Sequence, residues 1–360
     1  MASTLLEPGA HVPIANALPG AQLPYVMAAG HGDRFLLNGQ LLTVIARPVD
    51  TGDLFGAAYL SGGRGAELPA TTDAAEHRTV IVFDGLVQVW LGSETSVLSP
   101  GDEVVIPAGT PFAYRMLAGE NRLLLWSSPG HSLELLSRLG TPTASHVRPA
   151  RAERLVSLDE FRAVGEEFGI DVAAVPLVDA ALQPRAGARH SGLPSAEEAF
   201  FLSAGEGERY LGADEMHSYM SRGANTGGRY FAVESSGARS GYIPLHFHQQ
   251  HTENFICLDG RVRLHVNGRE VLLSKGDFVH APAGTIHSYA YDSAYARMVG
   301  VLAPSIFEPF FEYVFSPTEE SIYTEGAVPG FNGPGFGRAQ AELDLVVVGP
   351  PPERVAGLNI

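Results

Sequence analysis

Gly276-Asp-Phe-Val-His-Ala-Pro-Ala-Gly-Thr285 restates, 175 residues on, the stretch Gly101-Asp-Glu-Val-Val-Ile-Pro-Ala-Gly-Thr110. Each reads as a turn, a short strand and a proline stop. The same offset relates Ala204-Gly-Glu-Gly-Glu-Arg-Tyr-Leu211 to Ala29-Gly-His-Gly-Asp-Arg-Phe-Leu36, Thr226-Gly227 to Thr51-Gly52, and Asp259-Gly260 to Asp84-Gly85. Tyr289 answers Tyr114, and Pro304 answers Pro129. One register held without a gap over about 100 residues identifies a duplicated domain.

Inside each copy the pattern is β. Thr79–Phe83 and Leu86–Trp90 are short β-branched runs flanking Asp84-Gly85, and Asn254–Leu258 and Val262–Val266 repeat this around Asp259-Gly260. Asp-Gly between two such runs predicts a hairpin. Many short strands at this spacing predict an all-β chain of two small antiparallel barrels or double-sheet rolls. Ser157-Leu-Asp-Glu160 is a capping box, predicting a helix near 158–168, and a second helix is expected around Ile306–Phe315. The expected division is 1–140 for the first barrel, 141–200 for a linker, 201–325 for the second barrel and 326–360 for a Gly/Pro-rich tail lying over the surface. The parts of the linker that read as irregular are 141–154 and 183–195.

Composition narrows the function. The 360 residues are 45% apolar and 18% charged, which suits a large core. A net charge of −16 disfavours nucleic acid as a partner. No run of 18 apolar residues offers a membrane span, and the opening residues lack a secretory pattern. A single cysteine, Cys257, leaves neither a disulfide framework nor a thiolate zinc site. These features give a soluble, reduced, cytoplasmic setting as the expectation. All basic residues but Lys275 are arginine, which points to a GC-rich, bacterial genome.

Six of the 13 histidines fall between His246 and His287. His246 and His248 stand two apart, so in a strand both face the same side. Glu253 follows on the next strand and His287 on a later one. Three imidazoles and a carboxylate inside a barrel suit one divalent transition metal, with Fe, Mn, Co, Ni and Cu all compatible. His251, in the turn between ligand strands, reads as structural or solvent-exposed, with a supporting role behind the ligands as the alternative. His265 and His280 read as structural. In the first copy the four positions hold Thr71, Asp73, Arg78 and Phe112, so no metal is expected there; Glu76 and His77 alone are a weak replacement.

Gly241-(x4)-His246-x-His248-(x4)-Glu253-(x6)-Gly260 and Gly276-(x5)-Pro282-x-Gly284-(x2)-His287 resemble the two motifs of the cupin superfamily, whose fold is the double-stranded β-helix or jelly-roll barrel. The chain from Pro24 to Tyr313 further resembles bicupin quercetin 2,3-dioxygenases. The resemblance is carried by Pro24-Tyr-Val, Gly32-Asp-Arg34, Asp50-Thr-Gly52, Glu253-Asn-Phe255 and Phe307-Glu-Pro-Phe-Phe311. In that family the metal occupies the first cupin or both, whereas here only the second carries ligands. The resemblance implies that His246, His248, His287 and Glu253 hold the metal. It also implies that Glu253 takes the 3-hydroxyl proton of a flavonol, whose heterocycle is cleaved by O2 with release of carbon monoxide and a depside. Phe255 and Tyr289, on the ligand-facing side of their strands by alternation, would clamp the flat substrate. A gentisate-type site lacks the carboxylate, and an oxalate decarboxylase would carry metal in both copies. The alternatives left are a cupin repurposed as an isomerase, cyclase or lyase on another aromatic compound, and a non-catalytic metal- or ligand-binding module. Edge strands of cupin barrels are commonly buried by a partner, so a homodimer is one arrangement open to this chain.

Overall fold

In the first copy, Asn121–Ser128 lies between Gly56–Gly62 and His77–Asp84, and in the second, Tyr295–Ala303 lies between Phe231–Ala238 and Thr252–Asp259. The duplication read from sequence is thus a duplication of strand order. The computed structural model describes residues 14–15, 17–148, 154–175, 192–326 and 330–354. The expected irregular stretch at 183–195 falls outside them up to residue 191, as do the opening residues 1–13. Two compact units form: Gly30–His190 with Pro194–Ala204, and Gly205–Ile360 with Met1–Ala29 and Ser191–Leu193. The units cut across the repeat borders in a matched way. Tyr25–Met27 pairs with Phe278–Ala281 of the second copy, while its counterpart Phe200–Leu202 pairs with Glu103–Ile106 of the first.

Each unit is a two-sheet jelly roll of short strands with a few short helices. In the second unit the smaller sheet runs Arg269–Leu273, Val262–Val266, His287–Tyr291, Leu245–Phe247, Val346–Gly349. Alternation builds its inner face: Val262, Leu264 and Val266 are buried, while Arg263 and His265 between them are half-exposed. No helix among the described residues is long and apolar enough to cross a membrane.

The expected hairpins at Asp84-Gly85 and Asp259-Gly260 do not form. Thr252–Asp259 is already flanked on both edges, by Phe278–Ala281 and Tyr295–Ala303, so the chain leaving Gly260 crosses into the other sheet. His77–Asp84 is saturated in the same way by Glu103–Ile106 and Asn121–Ser128. Each Asp-Gly is therefore a corner between sheets. The glycine is required there: Gly260 has φ 66°, and a Cβ would lie 2.3 Å from the Tyr295 carbonyl oxygen.

The tail is more regular than its Gly/Pro content suggests: lying mostly exposed, it forms a helix, Gly333–Glu342, and an edge strand, Val346–Gly349, that pairs with the His246 strand. These are the 175-residue counterparts of the helix Leu158–Phe168 and the strand Ile170–Ala173, which edges the equivalent sheet in the first unit. Ser157 and Asn332 cap the two helices at matching positions, each accepting a backbone N–H. The repeat unit therefore includes a terminal helix and strand in both copies.

Candidate metal centre

His246 and His287 sit directly opposite each other on neighbouring strands, their ring centroids 4.4 Å apart. His248 follows His246 by two residues, its ring 5.2 Å from His246 and 5.3 Å from His287. Glu253, on the larger sheet, brings Oε2 to 3.1 Å from His248 Nε2 and 2.8 Å from His287 Nε2. The four side chains converge as a group able to share one ion.

The donor set fits a metal. Every Nδ1 faces a carbonyl oxygen, which can only accept: His246 donates to Pro244 (2.9 Å), His248 to Asp344 (2.5 Å) and His287 to Thr285 (2.8 Å). The protons are thereby placed on Nδ1, leaving the Nε2 lone pairs for ligation. Adjacent ligands around an octahedral ion at about 2.1 Å stand about 3.0 Å apart, which is the spacing found between Glu253 and its two imidazoles. Burial and the neighbouring rings of His287 and His248 push His246 well below the usual imidazole range. Burial alone would lift Glu253; positive charge where its Oε2 faces the His248 and His287 Nε2 atoms, a proton there or a bound cation, outweighs that and holds the carboxyl well below the usual carboxylate range.

Behind the ligands stands a group that sequence reading missed. Asp344, in the tail, accepts from the backbone N–H of Gln249 and Gln250 (both 2.7 Å) and from His251 Nδ1 (2.8 Å). His251 is buried, not solvent-exposed, and its ring lies 4.0 Å from His248 and stacks on Phe307 at 5.0 Å. It supports the ligand turn, which is the alternative role considered for it. The register could have exposed the tail: Phe336, Glu342 and Val347 match Phe161, Glu167 and Val172 at the same offset. His280 is buried against Asn254 and His265 is half-buried near Tyr242; neither joins the ligand group.

A cavity of about 340 Å³ opens from His246 and Glu253. Phe255 and Tyr289 line it, together with Met298, Phe307, Phe311 and Phe315. The first copy shows what fills such a space. At the position of Glu253, Arg78 donates to the Thr71 hydroxyl at 2.7 Å and to the Thr71 and Thr110 carbonyls, and its guanidinium lies 5.5 Å from the Phe112 ring. Asp73, in the place of His248, binds His131 instead. The corresponding cavity has only about 40 Å³. Leu60 and Leu125 occupy its lining where the second copy has Ser235 and Gly300.

The cupin domain family matches residues 237–301, the segment that holds all four side chains. The chain is 38% identical over 311 residues to quercetin 2,3-dioxygenase of Bacillus subtilis, covering 86% of this chain and 90% of that one. The chain belongs to the quercetin 2,3-dioxygenase family. The Aspergillus japonicus quercetin 2,3-dioxygenase is 27% identical over 118 residues, covering 31% of this chain and 33% of that one. Among solved structures, Bacillus subtilis oxalate decarboxylase superposes with a TM-score of 0.51 at 14% identity, over 78% of this chain and 77% of that one; this likeness concerns the fold alone. The protein is thus a bicupin and a metal-dependent dioxygenase, with a His₃Glu group in its second barrel as the candidate metal site.

Proposed function

We propose that this dioxygenase opens the heterocycle of a flavonol such as quercetin with O2, giving carbon monoxide and a depside. We propose also that it does so at one metal held by His246, His248, His287 and Glu253. The observation that carries the reading is a carboxylate, Glu253, that stands among three imidazoles and lines an aromatic cavity large enough for a small ligand, about 300 Å³ being the lower end for such sites. When bound, the metal supplies the Lewis acidity and electron exchange that reaction with O2 needs.

The protein's own groups do the rest. Glu253 enters the reaction ionised and receives the 3-hydroxyl proton on a carboxylate oxygen, turning the substrate into an electron-rich enolate. Phe255 and Tyr289 hold the rings flat against the cavity wall, and Phe307 and Phe311 exclude water that would quench the enolate. One carbon leaves as carbon monoxide, and both oxygen atoms of O2 remain in the products. The test is Glu253→Gln, which keeps shape and removes the base. Mixed anaerobically with quercetin, the metal-loaded wild type should develop the red-shifted enolate absorbance, and the variant should not. Turnover should fall at least ~100-fold, the usual contribution of a positioned base. Enolate formation and full turnover by a metal-loaded variant would remove Glu253 from this role.

A further inference from the structure

The cavity is aromatic on most sides, yet it carries two titratable groups that the reaction at the metal does not use. Glu215 and His217 are two apart on the strand Glu215–Ser221, 5% and 1% exposed, and both line the cavity. Among the described residues no arginine or lysine pairs with Glu215. It accepts from the Tyr289 hydroxyl at 2.7 Å and the Tyr291 hydroxyl at 3.4 Å, and burial pushes its carboxyl up to about 7. His217 Nδ1 is 2.8 Å from the Ser235 hydroxyl, while Nε2 is buried with no hydrogen-bond partner among the described residues. Glu215 Oε2 stands 3.7 Å from that Nε2, too far for a hydrogen bond between them. A buried imidazole nitrogen left unpaired is costly, so its presence in an apolar wall calls for a reason.

Barrel stability does not supply one. In the first copy Gln40 stands for Glu215 and accepts from Tyr114, the counterpart of Tyr289, so a neutral amide suffices to anchor that tyrosine. Leu42 and Leu60 stand for His217 and Ser235. The carboxylate, the imidazole and the serine occur together only in the copy with the metal ligands and the open cavity.

We infer that Glu215 and His217 form a polar subsite for a phenolic hydroxyl on a ring other than the cleaved heterocycle, so that the enzyme selects polyhydroxylated flavonols. A hydroxyl between the two satisfies the Nε2 of His217 and donates to the Glu215 carboxylate. The inference rests on the flavonol reading. Phe255, 5.7 Å from the His287 ring, is followed by Tyr289 at 6.4 Å, whose hydroxyl meets Glu215. The subsite is therefore reached along the same wall that the substrate lies against.

The test compares quercetin with 3-hydroxyflavone, which has the reacting hydroxyl and no other, by kcat/KM and by anaerobic Kd on metal-loaded protein. Wild type should favour quercetin, and in His217→Leu the ratio of kcat/KM values should fall roughly 10- to 100-fold, the effect of leaving one buried hydrogen bond unmade. Glu215→Gln, the residue the first copy tolerates, should lower the same ratio. An unchanged ratio in both variants, with wild type still processing the two compounds, would overturn the subsite and leave the flavonol reading intact. Neither binding nor turnover of either compound by wild type would overturn both.

Discussion

Replacing Asp344 by Asn isolates the part played by the tail in holding the candidate metal ligands. Asp344 is 93 residues from His251 in sequence, yet its side chain is only 4% exposed and it accepts three hydrogen bonds from the turn after His248. Its backbone carbonyl fixes the His248 ring. Burial would raise its carboxyl, but the bonds from His251 and from the Gln249 and Gln250 amides outweigh this and bring it down to about 2 from 3.8. His251 is itself lowered to about 4, mainly by burial, so near neutrality the pair is a carboxylate with a neutral imidazole. For a depressed acid, the stabilisation is present above the unfolded value of 3.8 and is lost as the pH falls through about 2. The shift corresponds to about 2 kcal/mol at pH 7. In a unit of this size that is a drop in Tm of roughly 4–8 °C. Misplacing His248 should also weaken metal binding ~10- to 100-fold, as is usual when a ligand's supporting group is lost. Thermal unfolding at pH 7 and at pH 3, with chelator competition on the loaded protein, reads both effects. The gap in Tm between wild type and variant should shrink at the lower pH. Equal melting and equal metal retention at pH 7 would refute the reasoning.

Gly300 has ordinary backbone geometry, and a Cβ there would meet Val233 Cγ1 at 3.5 Å, a normal contact. Gly300→Leu should therefore import the filled cavity of the first copy, where Leu125 stands: quercetin affinity should fall at least ~10-fold by fluorescence titration while metal content is unchanged. Glu215 is raised from 4.5 to about 7, so its contribution to stability is present below pH 4.5 and lost as the pH rises through about 7. Glu215→Gln removes that loss, and denaturant unfolding should show the variant gaining up to about 3 kcal/mol on wild type between pH 4.5 and pH 8.

The clustering of the candidate ligands was legible because His-x-His on a strand fixes two imidazoles on one side, and because the first copy, with Thr71, Asp73, Arg78 and Phe112, shows the same scaffold without those side chains. Phe255 and Tyr289 were placed on the cavity side by the same alternation. The Asp-Gly corners were misread because local turn chemistry is the same in a hairpin and a corner; the difference lies in strand edges already taken by Tyr295–Ala303 and Phe278–Ala281. The helix of the tail was not legible because Gly333, Pro334, Gly335 and Gly337 oppose a helix by propensity. That helix is held instead by the Asn332 cap and by Phe336 and Ala339 packing into the Phe311 cluster. Asp344 and His251 depend on this docking, so nothing local marks them. Glu215 and His217 alternate like a solvent-facing strand, and only the closed barrel turns that face into a cavity wall.

The most direct test of the central claim is carbon monoxide release from quercetin by metal-reconstituted protein, in air and under argon. The structure predicts carbon monoxide in equal amount to quercetin consumed in air, and none under argon. A fully metallated protein that consumes no quercetin, or consumes it without carbon monoxide, would contradict assignment as a flavonol dioxygenase.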